Sequence, residues 1–593
     1  MKDRAIGGTS TEFGPWNPGL ESSIPREVLP LSTMFRTENV ETDFNTAHEL
    51  SDFSGLSPFD IVVFRPERLV AHSLLIRVTI TLSVPDGPDY EELGINLRGM
   101  VRRLFENHVE PEMADLKALH EEVRQQAAMV ISGDLTKLKK SGGFSPSVSS
   151  SSPPPPSLLK RLFGTKPEKR ETFDQRLARL QQACDDAADG FDRVCKKALL
   201  TVVNSIIGHR GRLVGDDDTV VTLATGLVLN DWASLRIGEA VAPLFEKGAK
   251  AEGYRLLPSQ EKPFIMNVKG ASAAGKSTIR PKQRLLAERL GIAWEDFALV
   301  SPDYWRKYLL DYESLGEHSK YGAMLTGHEL ALIDRKLDRQ MARRAEAGTI
   351  PHLLIDRFRF DSFSVGDDQS SQLLTRFGDT VFMFYVITPP EATVERAYQR
   401  GLTTGRYKAV DDLLDHNIEA YTGMPALFFS WASSDKKVHH EFLDNSVEQG
   451  SLPRTVAFGW NDRVTILDVA KLLDIERYKK IDVEALAPGD VYLDGADDGK
   501  GNLDFLLQCA RSMPELHFAD QHTGRLYGIM AEGEWVMCDA DYVASADLDA
   551  ATLIGLEALG WKATNFGPVP VPTQYLDPAA SDCNTLGSWG ERR

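Results

Sequence analysis

Hydrophobic residues change their spacing several times along this chain, and each change predicts a change of structure. Residues 1 to about 55 are rich in Gly, Pro, Ser, Thr and Asn with little periodicity, which predicts a poorly ordered or extended arm. The stretches 61–64 and 74–82 turn β-branched, predicting strands or the start of a helix. Over 90–131 apolar residues recur at helical spacing, Met100, Val101, Leu104 and Phe105 and then Leu116, Leu119 and Val123, so two helices with a turn near Pro111 are expected. Helical periodicity returns over 173–207 through Leu177, Leu180, Cys184, Ala187, Phe191, Leu199, Val203 and Ile206. Between these helical stretches, 141–157 contains a run of four serines and four prolines that cannot bury a core, an exposed linker with polyproline character. Residues 56–250 therefore read as a mainly helical domain interrupted by this loop.

From about Tyr254 the pattern alternates. Short apolar runs at 264–268, 297–300, 352–355, 381–387 and 464–467 are separated by helical spacing, which predicts a parallel sheet flanked by helices over 254–480. The fold class expected is α/β. Beyond 481 the composition shifts to Asp, Gly and mixed short runs, predicting a small α+β C-terminal module that ends in a loose tail after Pro570. Its segment 494–499 superficially suggests a calcium loop. Ala496 and Phe505, however, occupy positions where oxygen ligands are needed, so a polar turn is expected.

Composition narrows the classes. At 593 residues the chain is long enough for two to four domains. A net charge of −19 argues against broad nucleic-acid or anionic-membrane binding, because the summed field repels polyanions, while a local basic pocket for a nucleotide is compatible with it. The lysines and arginines flanking 141–157 read as a solvated loop or a partner-recruiting one. Five dispersed cysteines form no C-x-x-C pair, which indicates neither a disulfide framework nor a zinc site and suits a reducing, cytoplasmic setting. No apolar run reaches membrane-spanning length, and the first residues lack an apolar signal core; a non-cleaved signal for delivery into another cell stays open.

Candidate chemistry centres on Gly270-Ala271-Ser272-Ala273-Ala274-Gly275-Lys276-Ser277-Thr278, which obeys G-x-x-x-x-G-K-[ST] without substitution and sits between a predicted strand and a predicted helix. Glycines there let the backbone turn tightly and aim N–H groups inward, and the helix N-terminus adds partial positive charge, so a polyphosphate finds donors without reorganisation. Lys276 is expected to reach the β- and γ-phosphates of ATP and Ser277 to ligate Mg²⁺. Asp303, at the end of the second predicted strand, suits a proton acceptor or a metal-water ligand, and equally an N-cap. No Asn-Lys-x-Asp segment for guanine recognition is present.

The series 270–278, Ser301-Pro302-Asp303, Thr326-Gly327-His328-Glu329, Ile355-Asp356-Arg357 and the arginine-bearing 395–406 resembles the zeta-toxin family of small-molecule kinases in order and spacing, over about 200 residues from 254 to 467. The resemblance implies a P-loop kinase fold and ATP-dependent phosphorylation of a small-molecule hydroxyl, in typical bacterial members that of UDP-N-acetylglucosamine. Other members act on other metabolites, including dinucleotide cofactors. It further implies Asp303 as general base, Glu329 and Asp356 as substrate contacts, with Asp356 shorter than the family's usual glutamate, and Arg400 and Arg406 as lid arginines, with Arg396 competing. The segment 442–446 resembles a late strand near the nucleotide base. Each of these readings has a plain alternative: Glu329 as an exposed first-turn residue, the three arginines as a solvated helix face. An ATP-binding switch or interaction protein is the alternative function, and restraint of the kinase by the N-terminal domain or by a separate antitoxin is a further expectation.

Overall fold

The computed structural model describes residues 13–87, 91–139, 172–356, 374–448, 450–561 and 573–590. The first twelve residues of the expected arm, the Ser/Pro-rich loop 141–157 with Lys140, Lys160, Arg161, Lys166, Lys169 and Arg170, and Arg357 lie outside the described residues. The chain divides into two units. One comprises Thr33–Leu74 and Arg103–Ala251; the other comprises Met1–Ser32, Leu75–Arg102 and Glu252–Arg593. Of the expected boundaries near 55, 250 and 480, that near 250 coincides with the division between Ala251 and Glu252, and those near 55 and 480 do not.

The first unit is helical. Helix Met113–Lys139 buries Val123, Ala127, Ile131 and Leu135, a stripe with a four-residue step, against Leu199, Val202, Val203 and Ile206 of helix Phe191–Arg210 and Val220, Leu223 and Ala224 of helix Asp217–Val228. Local chemistry sets the helix ends. The Asp43 and Asp216 side chains accept from Thr46 and Thr219 N–H groups, Thr172 and Gln175 form a reciprocal capping box, and Gly55 and Gly211 close their helices in the left-handed region. Helix Pro66–Thr81 holds all of the β-branched stretch 74–82 but Leu82, although only the helix up to Leu74 belongs to this unit; burial of Val78 and Ile80 outweighs their strand propensity. The part of the expected loose arm that belongs to this unit, from Thr33 on, includes helix Phe44–Ser54 and buried Met34, Phe35 and Val40.

The second unit is mixed α/β and is built on one eleven-stranded sheet. Its strands are β1 (Phe264–Lys269), β2 (Phe297–Val300), β3 (His352–Ile355), β4 (Thr380–Ile387), β5 (Lys437–Asp444), β6 (Arg454–Trp460), β7 (Arg463–Ile466), β8 (Glu515–Ala519), β9 (Arg525–Ala531), β10 (Glu534–Cys538) and β11 (Gln574–Tyr575). The order is β10-β9-β8-β7-β6-β5-β4-β1-β3-β2, with β11 on β9. Strands β2, β3, β1, β4 and β5 are mutually parallel, and all six β1 residues are buried, as befits a strand covered on both faces. From β5 onward the sheet is mixed: β6 pairs antiparallel with both neighbours, β7 and β8 are parallel, and β9 is antiparallel to β8 and β10. The expected parallel sheet is thus the half that carries the phosphate loop. The segment beyond 481 is not a separate module: its strands extend the same sheet, because β8 pairs with β7 along Arg463–Ile466.

Two features of this unit bear on the site. The connection from β1 leads toward β2 on one side, while β4 beside it leads to β5 on the other, so β1 and β4 flank the point where connections diverge, the crevice in which open α/β sheets bind ligands. Phe13 and Trp16 contact helix Pro390–Thr404: Trp16 Nε1 donates to Glu395 Oε1 (3.2 Å), Tyr398 donates to the Phe13 carbonyl (3.1 Å), and Trp16 packs in a cluster containing Val394, Ala397 and Ala273. Among the described residues no helix is long and apolar enough to cross a membrane, and all five cysteines are free and buried.

Candidate functional site

Loop 270–275 leaves β1 at its carboxyl end and passes into the short helix Lys276–Ile279 and then helix Arg280–Arg289. Its turn depends on left-handed backbone at Gly275 (φ 91°) and at Ala273 (φ 61°), the latter strained for a residue with a Cβ. Glycine is required at 270 and 275 by space as well. A Cβ would stand 2.9 Å from the Val386 carbonyl oxygen at the first and 2.2 Å from Asn445 Nδ2 at the second. The Ala274 carbonyl is the loop's anchor, accepting from Asn445 Nδ2 (2.7 Å) and Thr388 Oγ1 (2.9 Å). Thr278 Oγ1 donates to the Gly275 carbonyl (2.7 Å).

Lys276 folds over this loop, its ammonium donating to the Gly270 (3.1 Å) and Ala271 (2.8 Å) carbonyls. Burial lowers its pKa, Asp356 and Asp303 act against that, and Arg400 and Arg406 add to it, so five charged groups share one electrostatic environment. Ser277 Oγ donates to Asp356 Oδ2 (3.2 Å), and the buried Arg280 guanidinium stands 4.0 Å from the same carboxylate. Ser272 lies on the loop between these anchors.

Asp303 does not cap a helix. It lies within the short helix Pro302–Trp305, whose N-cap Ser301 makes no side-chain cap bond, and its carboxylate accepts from Arg306 Nε (2.9 Å) and from the Arg406 guanidinium. Burial opposes ionisation there, but these two guanidiniums hold its carboxyl well below the usual carboxylate range. The side chain keeps 43% of its surface exposed, so it remains reachable. Arg406 is buried, and Arg400 Nε donates to the Arg406 carbonyl (3.3 Å). Neither is on a solvated helix face. Arg396 serves differently, bonding the Asn445 (2.7 Å) and Val447 (3.3 Å) carbonyls beside the loop.

The structure thus brings Lys276, Ser277, Asp303, Asp356, Arg400 and Arg406 into one region at the carboxyl ends of β1, β2 and β3. Glu329 is in the first turn of helix Gly327–Glu346 but has no exposed surface, which overturns the exposed first-turn reading and leaves no accessible carboxylate for a substrate in this state. Residues that sequence reasoning did not single out are Arg306, three positions after Asp303, Arg280 in the helix after the loop, Thr388 after β4, and Lys408, two positions after Arg406. Each follows a strand end or a named site residue, which is the signal that could have found them.

Among the described residues no three His, Cys, Asp or Glu side chains gather into a metal site. Mg²⁺ does not need such a cage, since it keeps several waters and takes one or two protein oxygens beside phosphate. A hydroxyl and a carboxylate 3.2 Å apart, both hard oxygen donors, fit that demand. No family model matches the chain, and no curated protein or solved structure matches it.

Proposed function

We propose that this protein is an ATP- and Mg²⁺-dependent phosphotransferase acting on a hydroxyl of a small molecule. The observation that carries the reading is the Ser277–Asp356 pair at 3.2 Å beside Lys276, with Asp303 and Arg406 paired at the neighbouring strand end. A phosphate-loop hydroxyl beside a strand-end aspartate is the Mg²⁺-holding pair of P-loop nucleotide enzymes, so Asp356 takes a metal role here in preference to the substrate contact expected from resemblance.

Lys276 exchanges the Gly270 and Ala271 carbonyls for the β- and γ-phosphates. Ser277 and Asp356 would hold Mg²⁺, which would supply positive charge against the negative charge that develops on the phosphates. Arg406 and Arg400 then face the transferring phosphoryl group, a task suited to a permanent charge with a bidentate fork. As Arg406 turns to phosphate, Asp303 is released to accept the proton of the acceptor hydroxyl, whose oxygen bonds to the γ-phosphorus while the bond to the ADP oxygen breaks. The acceptor class proposed is a nucleotide sugar such as UDP-N-acetylglucosamine, with toxin- or effector-like consequences; a dinucleotide cofactor is the competing acceptor. One observation favours a second reading, an ATP-binding switch: Asp303 is held by two guanidiniums, which makes it a weak proton acceptor until they move.

Incubation of the full chain with γ-labelled ATP, Mg²⁺ and a metabolite extract separates the readings. Mass spectrometry is expected to find a phosphorylated small molecule with wild type and none with Lys276→Ala. Tight ATP binding with neither transfer nor hydrolysis would establish the switch instead.

A further inference from the structure

The turn Gly14-Pro15-Trp16-Asn17 is closed by two backbone hydrogen bonds between Gly14 and Asn17, each of 3.0 Å, with Pro15 at the second position, which its fixed φ suits. Trp16 Nε1 reaches helix Pro390–Thr404 at Glu395 Oε1 (3.2 Å), and the Phe13 carbonyl accepts from Tyr398 of the same helix (3.1 Å). Just beyond the turn, the Pro18 carbonyl accepts from Lys320 Nζ (2.7 Å), and that ammonium lies 3.5 Å from the centre of the Phe13 ring. Gly19 makes this approach possible: a Cβ there would stand 2.3 Å from Phe13 Cε1 and 2.8 Å from Lys320 Nζ, and its φ of 76° is left-handed. Val28 then shares a buried cluster with Leu310, Leu315 and Leu325, and Ser32 Oγ donates to the Leu325 carbonyl (3.1 Å). Residues 13–32 thus connect helix Pro390–Thr404 to the segment 310–325, all within the sheet-bearing unit.

These two elements are also tied to the two guanidiniums that hold Asp303. Arg306 donates through Nε to Asp303 (2.9 Å) and through Nη1 to the Ala323 carbonyl (2.5 Å) and Thr326 Oγ1 (2.8 Å), so the segment 310–325 is fastened to it. Arg406, the other partner of Asp303, follows Gly405, whose N–H donates to the Gly401 carbonyl (2.9 Å) to end helix Pro390–Thr404. The Arg406 carbonyl accepts from Arg400 of that helix (3.3 Å). Tyr407 closes against the helix at Gly401, where a Cβ would stand 2.3 Å from its ring, and Lys320 Nζ lies 5.5 Å from the centre of that ring. Arg406 therefore moves with the helix that Phe13 and Trp16 grip, and Arg306 with the segment that Lys320 and Leu325 anchor.

We propose that residues 13–32 are a strap that restrains the phosphotransfer site in cis, holding helix Pro390–Thr404 against the segment 310–325 so that Arg406 and Arg306 stay together on Asp303. The inference rests on the nucleotide reading above and adds its regulation. In that reading Arg406 turns from Asp303 to the transferring phosphoryl group before Asp303 accepts a proton. A tie between the two elements stabilises the paired state over the reacting one, and so lowers turnover. The grip on the helix is of a kind that opens locally, since it consists of two side-chain hydrogen bonds, an ammonium over a ring and the packing of one indole, each a small net contribution. Phe13 is 54% exposed, so this end of the strap lies at the surface, where it can be released.

The test compares the full chain with its Trp16→Ala, Trp16→Phe and Lys320→Met variants. Two quantities are read: the initial rate of label transfer from γ-labelled ATP, with Mg²⁺, into the small molecules of a metabolite extract, and amide hydrogen exchange over 398–407. Trp16→Ala and Lys320→Met are expected to raise the rate by about three- to tenfold, the scale on which loss of one or two net contacts shifts a two-state balance, and to speed exchange in that segment. Trp16→Phe keeps an apolar ring and loses only the N–H donor, so its rate is expected to fall between those of wild type and Trp16→Ala. Thermal unfolding of each chain checks that it is folded, and Trp16→Phe keeps the comparison decisive where the larger truncation lowers the melting temperature. A merely structural role predicts the opposite sign, lower rates in every variant. Rates at or below that of wild type in Trp16→Phe and Lys320→Met would overturn the inference and leave the nucleotide reading standing. No transfer by any of the four chains would overturn both.

Discussion

The carboxylate of Asp303 is paired with the guanidinium of Arg406, 103 residues later, and with Arg306 three residues on. Under the proposed mechanism this pairing sets an order of events, since the phosphoryl group must draw Arg406 away before Asp303 can take a proton. Asp303→Asn is therefore expected to lower kcat by about 10²–10³-fold, the scale of a lost charged group at a transition state, with ATP affinity nearly unchanged. Arg406→Ala is expected to lower kcat by a similar factor and also to let the Asp303 carboxyl rise toward its ordinary value, so the acidic limb of the pH–rate profile moves up in the residual activity. The depressed carboxyl also contributes stability that is present above its unfolded value near 4 and is lost only as pH falls further. Full turnover by Asp303→Asn would remove it from the chemistry.

Asp303 is also supported from a distant part of the chain. Within the sheet-bearing unit, Trp305 Nε1 donates to Thr79 Oγ1 (3.1 Å), Arg98 donates to the Tyr304 carbonyl (3.2 Å), and a Cβ at Gly94 would stand 2.6 Å from Tyr304 Cδ1. Gly94→Val is accordingly expected to shift the 302–305 turn and reduce kcat by about tenfold, a change of about 1.4 kcal/mol in the barrier, through misplacement of the base. Nucleotide affinity, set by the loop on β1, is expected to stay within about twofold. Steady-state kinetics beside nucleotide titration reads this split, and equal loss of both would point to general destabilisation instead.

At the loop itself, Gly275 and Asn445 are in closest approach. Gly275→Ala imposes a left-handed conformation on a residue with a Cβ and drives that atom into Asn445 Nδ2, the donor that anchors the Ala274 carbonyl. The expected cost is about 1–3 kcal/mol in stability together with a large loss of nucleotide affinity. Gly275→Ala with Asn445→Ala relieves the clash but not the backbone strain, so partial recovery of stability is expected in a double-mutant cycle followed by denaturant melts.

The legible part of this molecule was the part where local sequence and tertiary context agree. Strands β2 and β3 were read to the residue, because strands buried on both faces are short apolar runs between polar turns. The loop 270–278 was legible because its glycines answer backbone demands that a pattern records. Only the end of strand β5, 442–444, was reached, through resemblance; its earlier part was hidden by His439, His440 and Glu441, three fully buried polar residues that break its apolar signal. The continuation of the sheet through β7 and β8 was illegible for another reason: parallel pairing between segments about fifty residues apart leaves no periodic trace in either one. At the site, Asp303, Arg400 and Arg406 were visible as residue types at strand and helix ends. Their mutual pairing was not, because an ion pair over such a separation is a product of the fold.

The buried carboxyl of Glu441 offers a stability test independent of catalysis. Its Oε1 accepts from the Thr455 hydroxyl (2.9 Å) and the Gly587 N–H (3.0 Å), and its Oε2 from the Leu586 N–H (2.8 Å), so one side chain on β5 fastens the C-terminal residues to the sheet. Burial pushes its pKa up to about 7 in spite of those three donors. The folded state then holds a proton that the unfolded chain releases near pH 4.5, so this group's contribution to stability is largest below that value and falls as pH rises to about 7. His439 and His440, pushed down to about 4 and about 3 by burial, act in the opposite sense over much of the same range, since their imidazoles are neutral when folded and charged when unfolded. Only a difference between variants isolates Glu441. Glu441→Gln removes the titration and leaves an NH₂ opposed to one of the donors. The stability of wild type relative to this variant is expected to decline by on the order of 3 kcal/mol between pH 4.5 and 7.5, read by denaturant melts at closely spaced pH. A flat difference across that range would show that the carboxyl titrates at its ordinary value and that its three donors, rather than its burial, set its charge.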